Sequence, residues 1–257
     1  MSGTIGFFEI FDQFFLIAAL IFLRIGPIMI LVPGIGESYV PARSRLFIAM
    51  IFSFFLAPIL TSSITVQSIN QFSLTWLILS ETTVGFIFGI GVRVLLFALQ
   101  TAGSIAAQAT SLSMIIGNSG ITPLPAMGHL LVISALCLFM LLGLHVKIAE
   151  TIVLSYDLFP ISQFPSPPDV TMWGIRQISA SFALAFTLSA PFLIVSMLYN
   201  VTLGVVNKAM PQMMVVFVGA PVITFSGILM LFFLAPSIIL LWVRAIDRFL
   251  TNPTLHF

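Results

Sequence analysis

The sequence predicts an all-α membrane fold of hydrophobic helical hairpins, in which some helices are broken and inclined rather than upright. Three observations predict it. Of the 257 residues, 60% are hydrophobic and 7% charged, with a mean hydropathy of +1.19, whereas soluble domains carry about 25% charged residues. So few polar groups cannot cover a soluble globule. Six apolar stretches approach or exceed the length of about 20 residues that a membrane-spanning helix needs. Finally, prolines and an arginine interrupt these stretches, where an upright span tolerates neither easily.

The first stretch is Phe14 to Val32. The residues before it, Met1 to Gln13, carry Glu9 and Asp12 and no Lys or Arg. That is the reverse of a cleaved signal, so the segment is expected to be retained. Within the stretch, Arg24 costs about 2.5–3.5 kcal/mol at a helix centre unless it finds a partner or water. Glu37, just after the break, and Glu81, in the third stretch, are the candidate carboxylate partners, and snorkelling to an interface is the alternative. Pro27 and Pro33 free the carbonyls of Leu23 and Met29. With Gly34 and Gly36 they predict a helix end, a tight turn and re-entry through Val40-Pro41-Ala42-Arg43-Ser44-Arg45.

Leu46 to Thr61 is the second stretch and Leu74 to Leu99 the third. In the third, Glu81, Gly85, Gly89 and Arg93 recur every four residues and stack on one face. Gly85 and Gly89 form a GxxxG surface for close approach of another helix. Gln100 to Pro125 has no charge and is rich in Ala, Ser, Thr and Gly. It reads as a pore-side or packed loop, since non-helical backbone at membrane depth needs protein or water around it.

Met127 to Leu144 is the fourth stretch. Phe159 to Asp169 carries four prolines and reads as an extended surface connector, the best boundary between two units. Ile178 to Leu203 is the fifth stretch. The sixth, Met213 to Val243, would reach about 46 Å as one helix, against about 30 Å of hydrocarbon. It contains Pro221 and Pro236, which predict a bend or break.

The chemistry-bearing residues exclude several functions. His129, His145 and His256 form no HExxH or Cys/His cluster, and there is no P-loop, no GxGxxG before a helix and no GxSxG elbow. No enzyme, cofactor or metal is expected. A net charge of +1 argues against a nucleic-acid partner, and the single Cys137 excludes a disulfide framework. Asn200-Val-Thr202 matches a glycosylation triplet by chance inside an apolar helix. Lys and Arg in alternate loops give no consistent orientation: Arg43, Arg45 and Lys208 fall on one side, but Lys147, Arg244 and Arg248 on the other. A solute permease would need an internal repeat and a polar midplane site, and neither is evident.

The order of landmarks then matters. "LRIGPIMILVPGIGESYVPARSRLFIAM", "ETTVGFIFGIGVR", "AGSIAAQ", "LHVKIAETIVLSYDLFP" and "APFLIVSMLYNVTLGVVNKAMPQMMVVFVGAP" together resemble the FliR family of flagellar type III export-gate membrane proteins, which is related to an injectisome export-apparatus subunit. The resemblance runs from about Arg24 to Arg244 and is most specific at Asn200, Gly204, Asn207, Pro211, Gln212, Phe217, Gly219 and Pro221. Lys208, Met214 and Met114 depart from the residues usual in the family. "GAPVITFSG" lacks the lysine that the injectisome branch tends to carry there, which favours the flagellar branch.

The resemblance implies a subunit of a conical export gate built with FliP and FliQ, alongside FlhB-like and FlhA-like components, in the bacterial inner membrane and the flagellar basal body. The fold it implies is similar to a FliP-like part, residues 1–168, fused to a FliQ-like helical hairpin, residues 169–257. It implies that unfolded flagellar proteins pass through, with an uncharged plug near residues 108–122. Gln108 and Leu112 belong to that plug, and Met114, Ile115 and Ile116 form its apolar tip. It also implies that Arg24 is satisfied by partner subunits or water. Arg24, Pro27, Pro33, Gly36, Pro41, Arg45 and Glu81 become the helix break with its intramembrane charges. Gly85, Gly89, Ala102, Gly103 and the last motif become subunit-packing positions. An injectisome gate subunit and a stand-alone permease are the alternative functions.

Overall fold

The computed structural model describes residues 2–61, 73–110, 126–210 and 215–251, with side chains from Phe14 in the first helix and from Gly219 in the last. Among the described residues every regular element is helical: α1 (Ser2–Leu31), α2 (Ala42–Thr61), α3 (Leu74–Ala109), α4 (Ala126–Leu141), α5 (Leu144–Leu158), α6 (Pro167–Ala209) and α7 (Val215–Thr251). Five of these are long and apolar enough to cross a membrane, and α4 with α5 makes a sixth if that bent pair counts as one span.

The helices form two compact units. The first comprises Met1–Arg93, Met140–Gln177 and Asp247–Phe257, the second Val94–Phe139 and Ile178–Ile246. Each draws on residues from both sides of the proline-rich connector, so compactness divides the chain differently from a cut after residue 168. In the first unit α1 packs along α2. Ile17, Ile21, Ile25 and Met29, one per turn of α1, are buried, as are Val84, Phe88 and Val92 of α3 and Ile148 and Ile152 of α5. The core of the second unit includes Leu96, Leu99, Leu131, Phe139, Phe192 and Trp242, and the Trp242 indole donates to the Leu95 carbonyl at 2.8 Å.

Four sequence expectations need correction. Gln100 to Ala109 continue α3 as helix rather than starting a loop. Ala102, Ala106 and Ala107 are buried there, so the small residues serve close helix packing. Pro27 lies inside α1, which runs on to Leu31. The break comes at Pro33 and Gly34, whose φ of +89° suits glycine. The apolar run from Met127 to Leu144 is likewise split at Gly143, φ +68°, into two helices at a sharp bend.

The fourth correction concerns α7, where the break is absent: the helix continues through Pro221 and Pro236. Each proline removes one hydrogen bond from a ladder 37 residues long, and side-chain hydroxyls can re-satisfy freed backbone in such helices. The carbonyls that lose their donors are those of Phe217 and Phe232; the Thr224 hydroxyl donates nearby, to the carbonyls of Ala220 (3.0 Å) and Pro221 (2.9 Å).

The connector ends earlier than its proline content suggests, because Pro167 opens α6. Proline is tolerated in the first helical turn, whose N–H groups have no partner within the helix. Ser166 caps that turn. Its hydroxyl donates to Asp169 Oδ2 at 2.6 Å and accepts from the Asp169 N–H at 3.4 Å.

Candidate functional site

A fully buried arginine is the most informative feature of the first unit. Arg24 is 0% exposed and Glu81 1% exposed. The Arg24 Nε donates to Glu81 Oε2 at 2.7 Å. Its Nη1 donates to the carbonyl and the hydroxyl of Ser155, both at 3.1 Å, and Nη2 donates to the Phe159 carbonyl at 3.0 Å. The guanidinium carbon lies 3.7 Å from the centre of the Tyr156 ring.

Ser155 and Phe159 are the end of α5, where helix carbonyls lack partners and the helix dipole is negative. Arg24 therefore caps α5 while neutralising a carboxylate on α3. The second carboxylate oxygen of Glu81 accepts the Ser162 N–H at 3.3 Å, and the Ser162 carbonyl accepts the Trp76 indole at 2.9 Å. One cation thus ties α1, α3, α5 and the connector together.

Of the two carboxylates weighed as partners for Arg24, Glu81 takes it, whereas Glu37 accepts from Arg93 Nη1 at 2.6 Å. The resemblance had Arg24 satisfied by partner subunits or water, but the chain's own groups satisfy it. Sequence spacing could not reveal Ser155, Phe159, Ser162 or Tyr156. They are far away in the chain, and three of the contacts are to backbone atoms that any residue offers.

The other predicted helix-break residues form a rigid turn. The Gly36 N–H donates to the Val32 carbonyl at 2.8 Å, and a side chain on Gly36 would overlap the Ile30 backbone. Pro41 precedes α2, and its carbonyl accepts the N–H groups of Ser44 and Arg45 at 3.0 and 3.3 Å. The Arg45 Nη2 donates to the carbonyls of Glu37 (2.7 Å) and Val40 (2.8 Å). Further along, Lys147 pairs with Asp247, the Thr151 hydroxyl donates to the Leu250 carbonyl at 2.9 Å and Gln177 donates to the Gly91 carbonyl at 3.0 Å.

The glycines assigned to subunit packing find their neighbours within the chain. A methyl on Gly85 would overlap the Arg24 carbonyl, and one on Gly89 would come within 2.8 Å of the Leu31 side chain. The GxxxG face of α3 is therefore covered by α1. In the second unit Gly103 abuts the Gly128 backbone, and Ala102 is buried beside it. Gly219 abuts the Tyr199 hydroxyl, whereas Gly204 faces open space. Asn200 and Pro221 are exposed. Pro211, Gln212 and the Phe217 side chain lie outside the described residues.

Of the plug positions, Gln108 sits exposed in the last turn of α3, as helix rather than loop. Leu112, Met114, Ile115 and Ile116 lie outside the described residues. Among the described residues no group of three or more His, Cys, Asp or Glu is placed to hold a metal ion.

The arrangement is thus one of clamped helices carrying long apolar faces. The profile of the family described as "Bacterial export proteins, family 1" matches residues 15–249. "Flagellar biosynthetic protein FliR" of Caulobacter vibrioides is 29% identical over 240 residues, covering 91% of this chain and 92% of that one. The protein of the same name from Aquifex aeolicus is 27% identical over 233 residues, 88% of each chain. That of Escherichia coli K12 is 25% identical over 218 residues, 84% and 83% of the two chains. With a family match over nearly the whole length, and full-length relatives of one name in distant bacteria, the chain belongs to the FliR family of flagellar export proteins.

Proposed function

We propose that the chain is a subunit of the flagellar type III protein export gate of the bacterial inner membrane. With FliP and FliQ it forms the channel through which unfolded flagellar proteins cross, working beside FlhB-like and FlhA-like components of the basal body. The observation that carries this reading is the surface of α6. From Ile178 to Val206 the helix exposes large apolar side chains, among them Phe182, Phe186, Ile194, Met197, Leu198, Val201 and Val205. That stretch rises about 42 Å, more than the roughly 30 Å of hydrocarbon at the usual tilt of about 20°. Lipid covers part of such a stripe, and sister helices suit the rest.

In this reading residues 1–168 are the FliP-like part and 169–257 the FliQ-like hairpin, with α6 and α7 as its arms. The relatives, named as flagellar biosynthetic proteins, favour the flagellar over the injectisome branch. The expected result is that the chain co-purifies with FliP and FliQ, and that its apparent mass in native mass spectrometry is that of the complex. A stable monomer that ignores both partners would remove the gate and leave the permease.

The segment after α3 is the plug, with Met114, Ile115 and Ile116 at its tip. Deleting Ser111 to Ser119 is expected to make cells that express the assembled gate leaky to small ions, read as conductance across the inner membrane. Unchanged conductance in an assembled complex would assign the seal to other residues.

A further inference from the structure

We propose that a belt of arginines in the first unit, Arg43, Arg176 and Arg248, binds the phosphates of anionic phospholipid headgroups. Contacts within the unit bring these three residues to one level. Arg93 of α3 pairs with Glu37 in the turn between α1 and α2, and Arg45 is bound to that turn, so Arg43 in the first turn of α2 lies at the level of Arg93. Two residues away on α3, Gly91 is closed over by the rings of Trp173 and Phe249 and accepts from Gln177. Arg176 and Arg248 are direct neighbours of Gln177 and Phe249 in the chain. Lys147, beside Asp247, stands at the same level.

The other cations of the unit are occupied. Arg24 pairs with Glu81, Arg93 with Glu37 and Lys147 with Asp247, and Arg45 is spent on carbonyls. Arg43, Arg176 and Arg248 are exposed and have no partner among the described residues. The described carboxylates facing this level are Glu37 and Asp247, both paired, and Glu150, exposed three residues from Lys147.

What lies to one side of the belt identifies the ligand. The exposed surface of α2 from Leu46 to Ile59 and of α3 from Leu74 to Ile90 is apolar, with Phe47, Phe54, Phe55, Leu79 and Phe86 among the outward side chains. Those stretches rise about 20 and 24 Å, two-thirds or more of the roughly 30 Å of hydrocarbon. Unpaired guanidinium groups at the edge of an apolar surface of that depth meet a phospholipid as it is built, phosphate above acyl chain. A free anion would have no use for the apolar side. The inference needs only a membrane-embedded first unit and stands whether or not the channel assignment holds.

The test uses the full chain in nanodiscs of phosphatidylcholine doped with phosphatidylglycerol, with retained lipid identified by native mass spectrometry. Phosphatidylglycerol is expected to be enriched, and each Arg→Gln substitution is expected to lower the enrichment roughly fivefold. Arg→Lys substitutions keep the charge and are expected to keep most of it. For the unsubstituted chain, enrichment is expected to fall as salt is raised and to survive millimolar inorganic phosphate. Salt-independent enrichment, or none lost in R43Q/R176Q/R248Q, overturns the proposal. So does displacement by inorganic phosphate, which would make this a free-anion site. Loss of the enrichment when FliP and FliQ are bound would make the belt a protein contact, and overturns it equally.

Discussion

Replacing Glu81 by leucine is expected to destabilise the chain by about 3–5 kcal/mol, the usual cost of stranding one member of a buried ion pair. Arg24 is wholly buried, so it cannot turn to water when its carboxylate goes. Glu81 also accepts from the Ser162 N–H, so the same substitution frees the start of the connector. The double variant Arg24→Met with Glu81→Leu is expected to recover at least half of the loss, because no uncompensated charge remains. Exchanging the two residues is not expected to rescue, since a carboxylate at position 24 would face the carbonyls of Ser155 and Phe159 that now accept from Arg24. The measurement is thermal unfolding of the purified chain in mild detergent, followed by tryptophan fluorescence. Additive losses in the double variant would mean that the two side chains are not coupled.

The second large effect is expected at two glycines. Alanine at Gly103 would press on the Gly128 backbone, and alanine at Gly85 on the Arg24 carbonyl. A backbone neighbour cannot swing aside as a flexible side chain can, so each substitution is expected to fall at or above the top of the usual overpacking range of about 1–3 kcal/mol. Gly204→Ala is the contrast. It adds a methyl to open space in the interior of α6, where alanine favours the helix by up to about 1 kcal/mol. The same unfolding assay should therefore move in opposite directions at Gly103 and Gly204. Equal and small shifts at all three sites would show that the helices have room to part.

Much of the architecture was legible in the sequence because apolar stretches of spanning length leave a helix few rivals. Misreadings occurred where one composition serves two structures. Alanine, glycine, serine and threonine from Gln100 to Ala109 suit a packed loop and an intimate helix contact alike, and only the partner backbone at Gly128 decides. The prolines of α7 and Pro27 illustrate a related point: a missing N–H weakens a helix, but surrounding turns can carry it. For Arg24 the sequence narrowed the carboxylate partner to two residues. It could not reach the carbonyls of α5, because a backbone oxygen has no sequence signature.

The failed orientation count has a physical reason as well. Counting loops assumes that each apolar stretch is one upright crossing. Within the first unit, contacts bring Arg43 and Arg45 to the level of Lys147 and Arg248, although alternate counting sets them on opposite sides. The error enters where the chain bends at Gly143 and where α3, at 36 residues, outruns a single crossing.

The Arg24–Glu81 bond also dictates an order of events at birth. The two residues are 57 positions apart, so a ribosome adding roughly 5–20 residues per second delivers the arginine about 3–11 s before its carboxylate. The groups at Ser155 and Phe159 follow later still. For that interval the first helix carries a naked charge that hydrocarbon rejects. It must wait at the headgroups or inside the insertion machinery until the third helix emerges, and the opening segments enter the membrane as a cohort rather than one by one.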